Sequence, residues 1–83
     1  MARIAVVDDD ADVLDFIAAV LGEAGHEVLT ARDGLAAAAL VEGHTVDLMI
    51  LDILMPHRDG LETILTLRRE GRRFPILAIS AGG

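Results

Sequence analysis

Short apolar runs that end in an acid or a hydroxyl constrain this chain more than any other feature. Ile4-Ala5-Val6-Val7 runs into Asp8-Asp9-Asp10, Leu48-Met49-Ile50-Leu51 into Asp52, and Ile76-Leu77-Ala78-Ile79 into Ser80. A continuous apolar run of this length, bounded by polar residues, reads as a strand covered on both faces. Its polar end is then pushed out at the edge of the sheet, which in open parallel sheets is where ligands bind. Three such ends would gather carboxylates and a hydroxyl in one crevice, a set suited to a hard cation and a phosphoryl group.

The segments between these runs have helical spacing. Residues 11–24 carry Val13, Leu14, Ile17, Val20, Leu21 and Ala24 along one expected face. Asp10 is placed to cap the start of this helix, and Gly25 to take the left-handed position after its end. Glu27–Ala31 reads as a short strand. Asp33-Gly34 opens a second helix through alanines 36–39, Leu40 and Val41 to Gly43, and the alanine run permits a close approach to the sheet. Val46–Leu51 is expected as a central strand and residues 52–58 as a loop, because Pro56 disfavours helix at Met55. Asp59-Gly60-Leu61-Glu62 has the pattern of a capping box, starting a helix with Leu61, Ile64, Leu65 and Leu67 that Gly71 ends. Phe74-Pro75 leads into a last strand, Ile76–Ser80. Met49, Met55 and Phe16 read as packing residues. Strand and helix alternating in this way argue for a parallel sheet with right-handed crossovers and helices on both faces.

At 83 residues the chain is bounded to one small domain, 1–83. Such a domain buries roughly 60–65% of the surface its unfolded form exposes. A hydrophobic content of 53% argues for a folded chain. No apolar run approaches the roughly 20 residues that span a bilayer, and the N-terminus has no signal-peptide pattern. With no cysteine there is neither a disulfide framework nor a thiolate metal site, and a cytoplasmic setting without membrane contact is expected. The net charge is −7, from 14 acids against 7 arginines with no lysine. That field repels duplex DNA, so no nucleic-acid binding by this segment is expected. Arg68, Arg69, Arg72 and Arg73 cluster where a helix ends and read as complements to its dipole. Asp10 and Asp12 read likewise at a helix start. His26, His44 and His57 share no ligand spacing, and His57 reads as an exposed loop residue.

Val6-Val7-Asp8-Asp9-Asp10, Leu51-Asp52, Met55-Pro56-His57-Arg58-Asp59-Gly60 and Ile79-Ser80-Ala81 together resemble the signatures of the response-regulator receiver domain of two-component signalling. The order and spacing agree from residue 2 to the end of the chain. An acidic pair or an Asp-Gly turn alone would say little; the combination is specific. The resemblance implies a flavodoxin-like, doubly wound α/β fold with a parallel sheet of strand order 2-1-3-4, or 2-1-3-4-5 when complete. It implies that Asp52 accepts a phosphoryl group from a phosphohistidine on a sensor histidine kinase, from a phosphotransfer protein or from a small phosphodonor. Asp8, Asp9, Asp52 and the backbone carbonyl of Leu54 would hold Mg²⁺ or Mn²⁺. Ser80 would contact the phosphoryl group and act as the switch, while Pro56, Asp59 and Gly60 would shape the loop beside the acceptor. The chain would be a signalling switch capable of slow self-dephosphorylation and no other catalysis.

The family pattern continues with a helix, a fifth strand and a last helix, and its paired lysine stands at the end of that fifth strand. None of these lies in the 83 residues. A chain apparently truncated after its fourth strand would leave Ile76–Ile79 as an exposed apolar edge, open to homodimerisation or domain swapping. Gly82-Gly83 is a flexible end rather than a capped one, so continuation past Gly83 is expected ahead of a native truncation. A receiver-like interaction module that binds partners without being phosphorylated is the alternative reading. Asp8-x-Asp10 after a strand also suggests a haloacid-dehalogenase-type phosphatase, but Ala11-Asp12 follows in place of that family's Gly-Thr.

Overall fold

The computed structural model describes residues 1–55 and 59–80. The elements alternate without exception: β1 (Arg3–Val7), α1 (Ala11–Glu23), β2 (Glu27–Ala31), α2 (Gly34–Gly43), β3 (Leu48–Asp52), α3 (Asp59–Arg69) and β4 (Ile76–Ile79). The strands form one parallel sheet in the order β2-β1-β3-β4, the order the resemblance implies.

Alternate residues of each strand feed two cores. Ala5, Val7, Met49 and Leu51 point to one face, where they meet Ala37 and Val41 of α2 and Leu67 of α3. Ile4 and Val6 point to the other, against Leu14, Ile17 and Leu21 of α1. The uninterrupted apolar run of β1 is thus the mark of a strand covered twice. Met49 and Met55 are buried, as expected of packing residues. Of the four alanines in α2, only Ala37 is fully buried, while Ala36 and Ala39 face solvent.

The helix ends follow local chemistry. The Asp10 carboxylate accepts the Asp12 and Val13 N–H groups at 2.9 and 3.4 Å, and Asp33 does the same for Ala36 at 2.7 Å. Gly25 and Gly71 take φ of +92° and +82° behind α1 and α3, a region that glycine enters without penalty. Arg68 Nη1 donates to the carbonyls of Arg72 and Phe74 at 2.8 and 2.9 Å, so one member of the arginine cluster closes the turn after α3.

Several expectations from the sequence are corrected. The third strand is Leu48–Asp52 rather than Val46–Leu51. Its start is delayed because the Asp47 carboxylate takes the Arg3 N–H at 2.8 Å, and its end is extended because Ile53 N–H donates to Ile79 O at 3.0 Å. The last strand correspondingly stops at Ile79, leaving Ser80 just beyond it. On α1, Val20 is 52% exposed and Phe16 70%, because the helix lies on the sheet through the narrower stripe of Leu14, Ile17 and Leu21. On α3, Leu61 and Leu65 are exposed, whereas Gly60, Thr63 and Leu67 are buried. That helix is rotated because it packs by small residues: a Cβ on Gly34 of α2 would clash with Thr63 Oγ1.

Asp59 is not the cap of its own helix. It lies inside α3, and its Oδ2 accepts the Gly34 N–H of α2 at 2.6 Å. Thr63 Oγ1 closes on the Asp59 carbonyl at 2.6 Å. The start of α3 is therefore tied to the start of α2 and, through Gly60, to β3. A Cβ on Gly60 would lie 2.6 Å from the Asp52 carbonyl oxygen and 2.8 Å from Ile53 Cα, both backbone atoms that cannot swing aside. Gly60→Ala should accordingly cost about 1–3 kcal/mol in urea unfolding. Leu61→Ala, one residue on but half-exposed, should cost less than about 1 kcal/mol. Equal losses would show that α3 does not sit this close to the acceptor strand.

Candidate metal centre

Parallel register places the acids. Val7 is the partner of Leu51, so the residues that follow, Asp8 and Asp52, emerge side by side at the same edge of the two central strands. Asp8, Asp9 and Asp52 each offer a carboxylate oxygen within 4.8 Å of the others. Asp8 and Asp52 are only 1% and 5% exposed, while Asp9 reaches solvent.

The backbone holds these side chains in place. Asp8 Oδ1 accepts the Asp10 N–H, and Asp52 Oδ1 accepts the Leu54 N–H, both at 2.9 Å. These i to i+2 bonds are the turns that aspartate forms with its own chain. The second oxygen of Asp8 is buried and has no hydrogen-bond partner among the described residues. A buried acceptor without a donor is costly, and the neighbouring carboxylates of Asp9 and Asp52 add repulsion. Two unit charges 4.8 Å apart repel by about 3.5 kcal/mol at an effective dielectric constant near 20. A divalent cation relieves both penalties together. Hard oxygen ligands, few in number and with one face open to water, are the donor set that suits Mg²⁺.

Burial is the largest influence on Asp8 and raises its pKa above the ordinary 3.8; the Asp10 N–H opposes this, and the charges of Asp52, Asp9 and Asp10 add to it.

The remaining candidates are unevenly placed. Leu54 lies in the exposed turn after β3, bound to Asp52 through its N–H. Ser80 follows Ile79, the register partner of Asp52, and is exposed. Among the described residues it makes no hydrogen bond to the acids. Asp59 and Gly60 brace the site from behind, as described above. Pro56 and His57, singled out in the sequence, lie outside the described residues, as does Ala81. Arg32 was not anticipated: its Nη2 donates to the Asp9 carbonyl at 2.9 Å. Its position directly after β2, one strand from β1, is a signal that topology alone carries.

The chain has relatives of known family. The family model for the response regulator receiver domain matches residues 4–83, and the chain belongs to that family. It is 46% identical over 79 residues to the uncharacterized transcriptional regulatory protein YrkP of Bacillus subtilis, covering 95% of this chain and 33% of that protein. It is 40% identical over 81 residues to the transcriptional regulatory protein TcrA of Mycobacterium tuberculosis, covering 98% and 32%. The chain thus spans about a third of the length of these relatives. Among solved structures it is similar to the response regulator TrrA of Thermotoga maritima in complex with Mg²⁺-BeF, at 36% identity and a TM-score of 0.88, covering 98% of this chain and 70% of that one. TrrA in complex with the histidine kinase ThkA aligns at 35% identity and a TM-score of 0.88, covering 100% and 72%. The flavodoxin-like fold expected from the sequence is the fold of these receiver domains. No helix among the described residues is long and apolar enough to cross a membrane.

Because its folded pKa is raised, Asp8 binds its proton more tightly in the native state than in the unfolded one. Its contribution to stability is therefore greatest below 3.8 and is lost as pH rises from there through the folded value. In a metal-free sample, Asp8→Asn should flatten that fall in stability, read by urea unfolding at a series of pH values. An unchanged pH profile would show that Asp8 carries no such strain.

Proposed function

We propose that the chain is a phosphoryl-accepting switch of a two-component system, with Asp52 as the acceptor. The observation that carries this reading is the buried Asp52 carboxylate within 4.8 Å of Asp8 and Asp9, beside an unsatisfied Asp8 oxygen. Asp8, Asp9, Asp52 and the Leu54 carbonyl would hold Mg²⁺ or Mn²⁺, which when bound offsets the negative charge gathering on a transferring phosphoryl group. The bond from Leu54 N–H orients Asp52, leaving its second oxygen to attack phosphorus. Gly60 fixes the acceptor's backbone from behind, so its position survives the arrival of a new charge. A phosphoryl group adds a charge near −2 and new acceptor oxygens. Ser80 stands one residue past the register partner of Asp52, close enough in the fold for its hydroxyl to be drawn toward those oxygens. That movement would bias the segment after β4 between two states.

Membership of the receiver family supports a switch rather than a turnover enzyme, with slow self-dephosphorylation as its only chemistry. The donor would be a sensor histidine kinase or a phosphotransfer protein, a reading supported by the kinase complex of TrrA. A cytoplasmic setting follows from that partnership. Residues 1–83 would serve as the receiver unit. β4 stands at the edge of the described sheet with Leu77 half-exposed, which favours a pairing partner there, whether a second copy or a further segment of chain.

With Mg²⁺ and acetyl phosphate, intact mass should show the protein gaining one phosphoryl group, and Asp52→Asn should gain none. Chelating the metal should reduce incorporation to background. Incorporation that survives Asp52→Asn would refute the assignment of the acceptor. No incorporation by the native chain would favour a receiver-like module that binds partners unphosphorylated.

A further inference from the structure

Among the described residues, the edge of the sheet that carries the site has little positive charge. Arg3 opens β1, and Arg68, Arg69, Arg72 and Arg73 gather at the end of α3 and before β4, all at the opposite edge. Among the described arginines, Arg32 alone stands at the site's edge. It follows Ala31, whose carbonyl accepts the Asp8 N–H at 3.1 Å, so its backbone begins beside the acidic pair. Its exposed side chain then reaches across to donate Nη2 to the Asp9 carbonyl at 2.9 Å. The guanidinium is not committed to a carboxylate: the one ion pair among the described residues joins Arg3 to Glu27. Of the five N–H donors a guanidinium carries, the others have no hydrogen bond among the described residues.

We propose that Arg32 binds the phosphoryl oxygens of the incoming donor and holds it against Asp52, an inference that rests on Asp52 being the acceptor. Three carboxylates outweigh a single divalent cation, so even the loaded site repels a dianionic phosphodonor. A planar guanidinium anchored at the rim offsets that repulsion and offers two parallel N–H groups to a pair of phosphoryl oxygens. The bond to the Asp9 carbonyl fixes the guanidinium without neutralising it, which leaves its charge for the donor. With acetyl phosphate, an Asp52 oxygen forms the new bond to phosphorus. The bond from phosphorus to the acetyl oxygen breaks, and its electron pair leaves with acetate. No proton is required, and Arg32 stays protonated throughout.

The test compares wild type, Arg32→Gln and Arg32→Lys in the purified protein. Phosphorylation rates are followed with acetyl phosphate and with the less highly charged phosphoramidate, and Mg²⁺ affinity by calorimetry. Arg32→Gln should lower the second-order rate constant with acetyl phosphate about tenfold, the scale of one hydrogen bond to a charged group. The loss with phosphoramidate should be smaller, Mg²⁺ affinity should stay near the wild-type value, and Arg32→Lys should recover part of the rate. A wild-type rate in Arg32→Gln would overturn the proposal. So would a loss equal for both donors and matched by weaker Mg²⁺ binding, since that marks a residue that only braces Asp9. Wild-type protein that takes up no phosphoryl group, or takes it elsewhere than Asp52, would instead bring down the acceptor reading and this proposal with it.

Discussion

The parallel pairing of β1 with β3 is the constraint on which everything else depends. Register matches Val7 to Leu51, and from that match alone Asp8 and Asp52 become neighbours at the sheet's edge. A shift of one residue in either strand would turn every side chain to the opposite face and carry one carboxylate away from the other. The register is held by both cores at once: Val7 and Leu51 pack toward α2 and α3, Val6 toward α1. The apolar run before each acid is therefore more than filler. Its burial keeps two like charges together that would separate if left to themselves.

Holding those charges together has a cost, and the site shows where it falls. Asp8 is buried with one oxygen unsatisfied among the described residues, and its pKa is raised first by burial and further by the acids around it. Native proteins leave buried acceptors unpaired rarely, and such exceptions call for an explanation. Here a divalent cation would supply one. The surrounding contacts run in the same direction: Gly60 against the Asp52 backbone, Asp59 on Gly34, and Arg32 on the Asp9 carbonyl form a continuous brace from β3 through α3 and α2 back to β1. Among the described residues, Asp9, Leu54 and Ser80 at this edge are exposed.

Much of this was legible in the residues. Strand runs, the helix cap at Asp10, the helix start at Asp33-Gly34, the left-handed Gly25 and the helix stop at Gly71 are set by local chemistry, and a few neighbouring residues suffice to read each. The acids of the site were legible too, because a polar residue that ends a buried strand has nowhere to go but the edge. What could not be read depends on partners distant in sequence. Periodicity identified the apolar residues of α1 and α3 but not which neighbour each helix meets. Periodicity therefore puts Phe16, Val20, Leu61 and Leu65 in the core, whereas Gly60 and Thr63 occupy it. Asp59 looked like a local cap because its partner, Gly34, lies 25 residues away. The Arg32 contact with Asp9 rests on β2 lying next to β1, which no short window of sequence contains.

The central claim is that Asp8, Asp9 and Asp52 form one divalent-cation site, distinct in affinity from the other acids of a chain with net charge −7. The most direct measurement is paramagnetic broadening of backbone amide signals by trace Mn²⁺ in the folded protein. The account predicts broadening centred on residues 8–10 and 52–54, reversed by excess Mg²⁺. Broadening spread evenly over Asp12, Asp15, Asp33 and Asp47, with no preference for the strand ends, would contradict it.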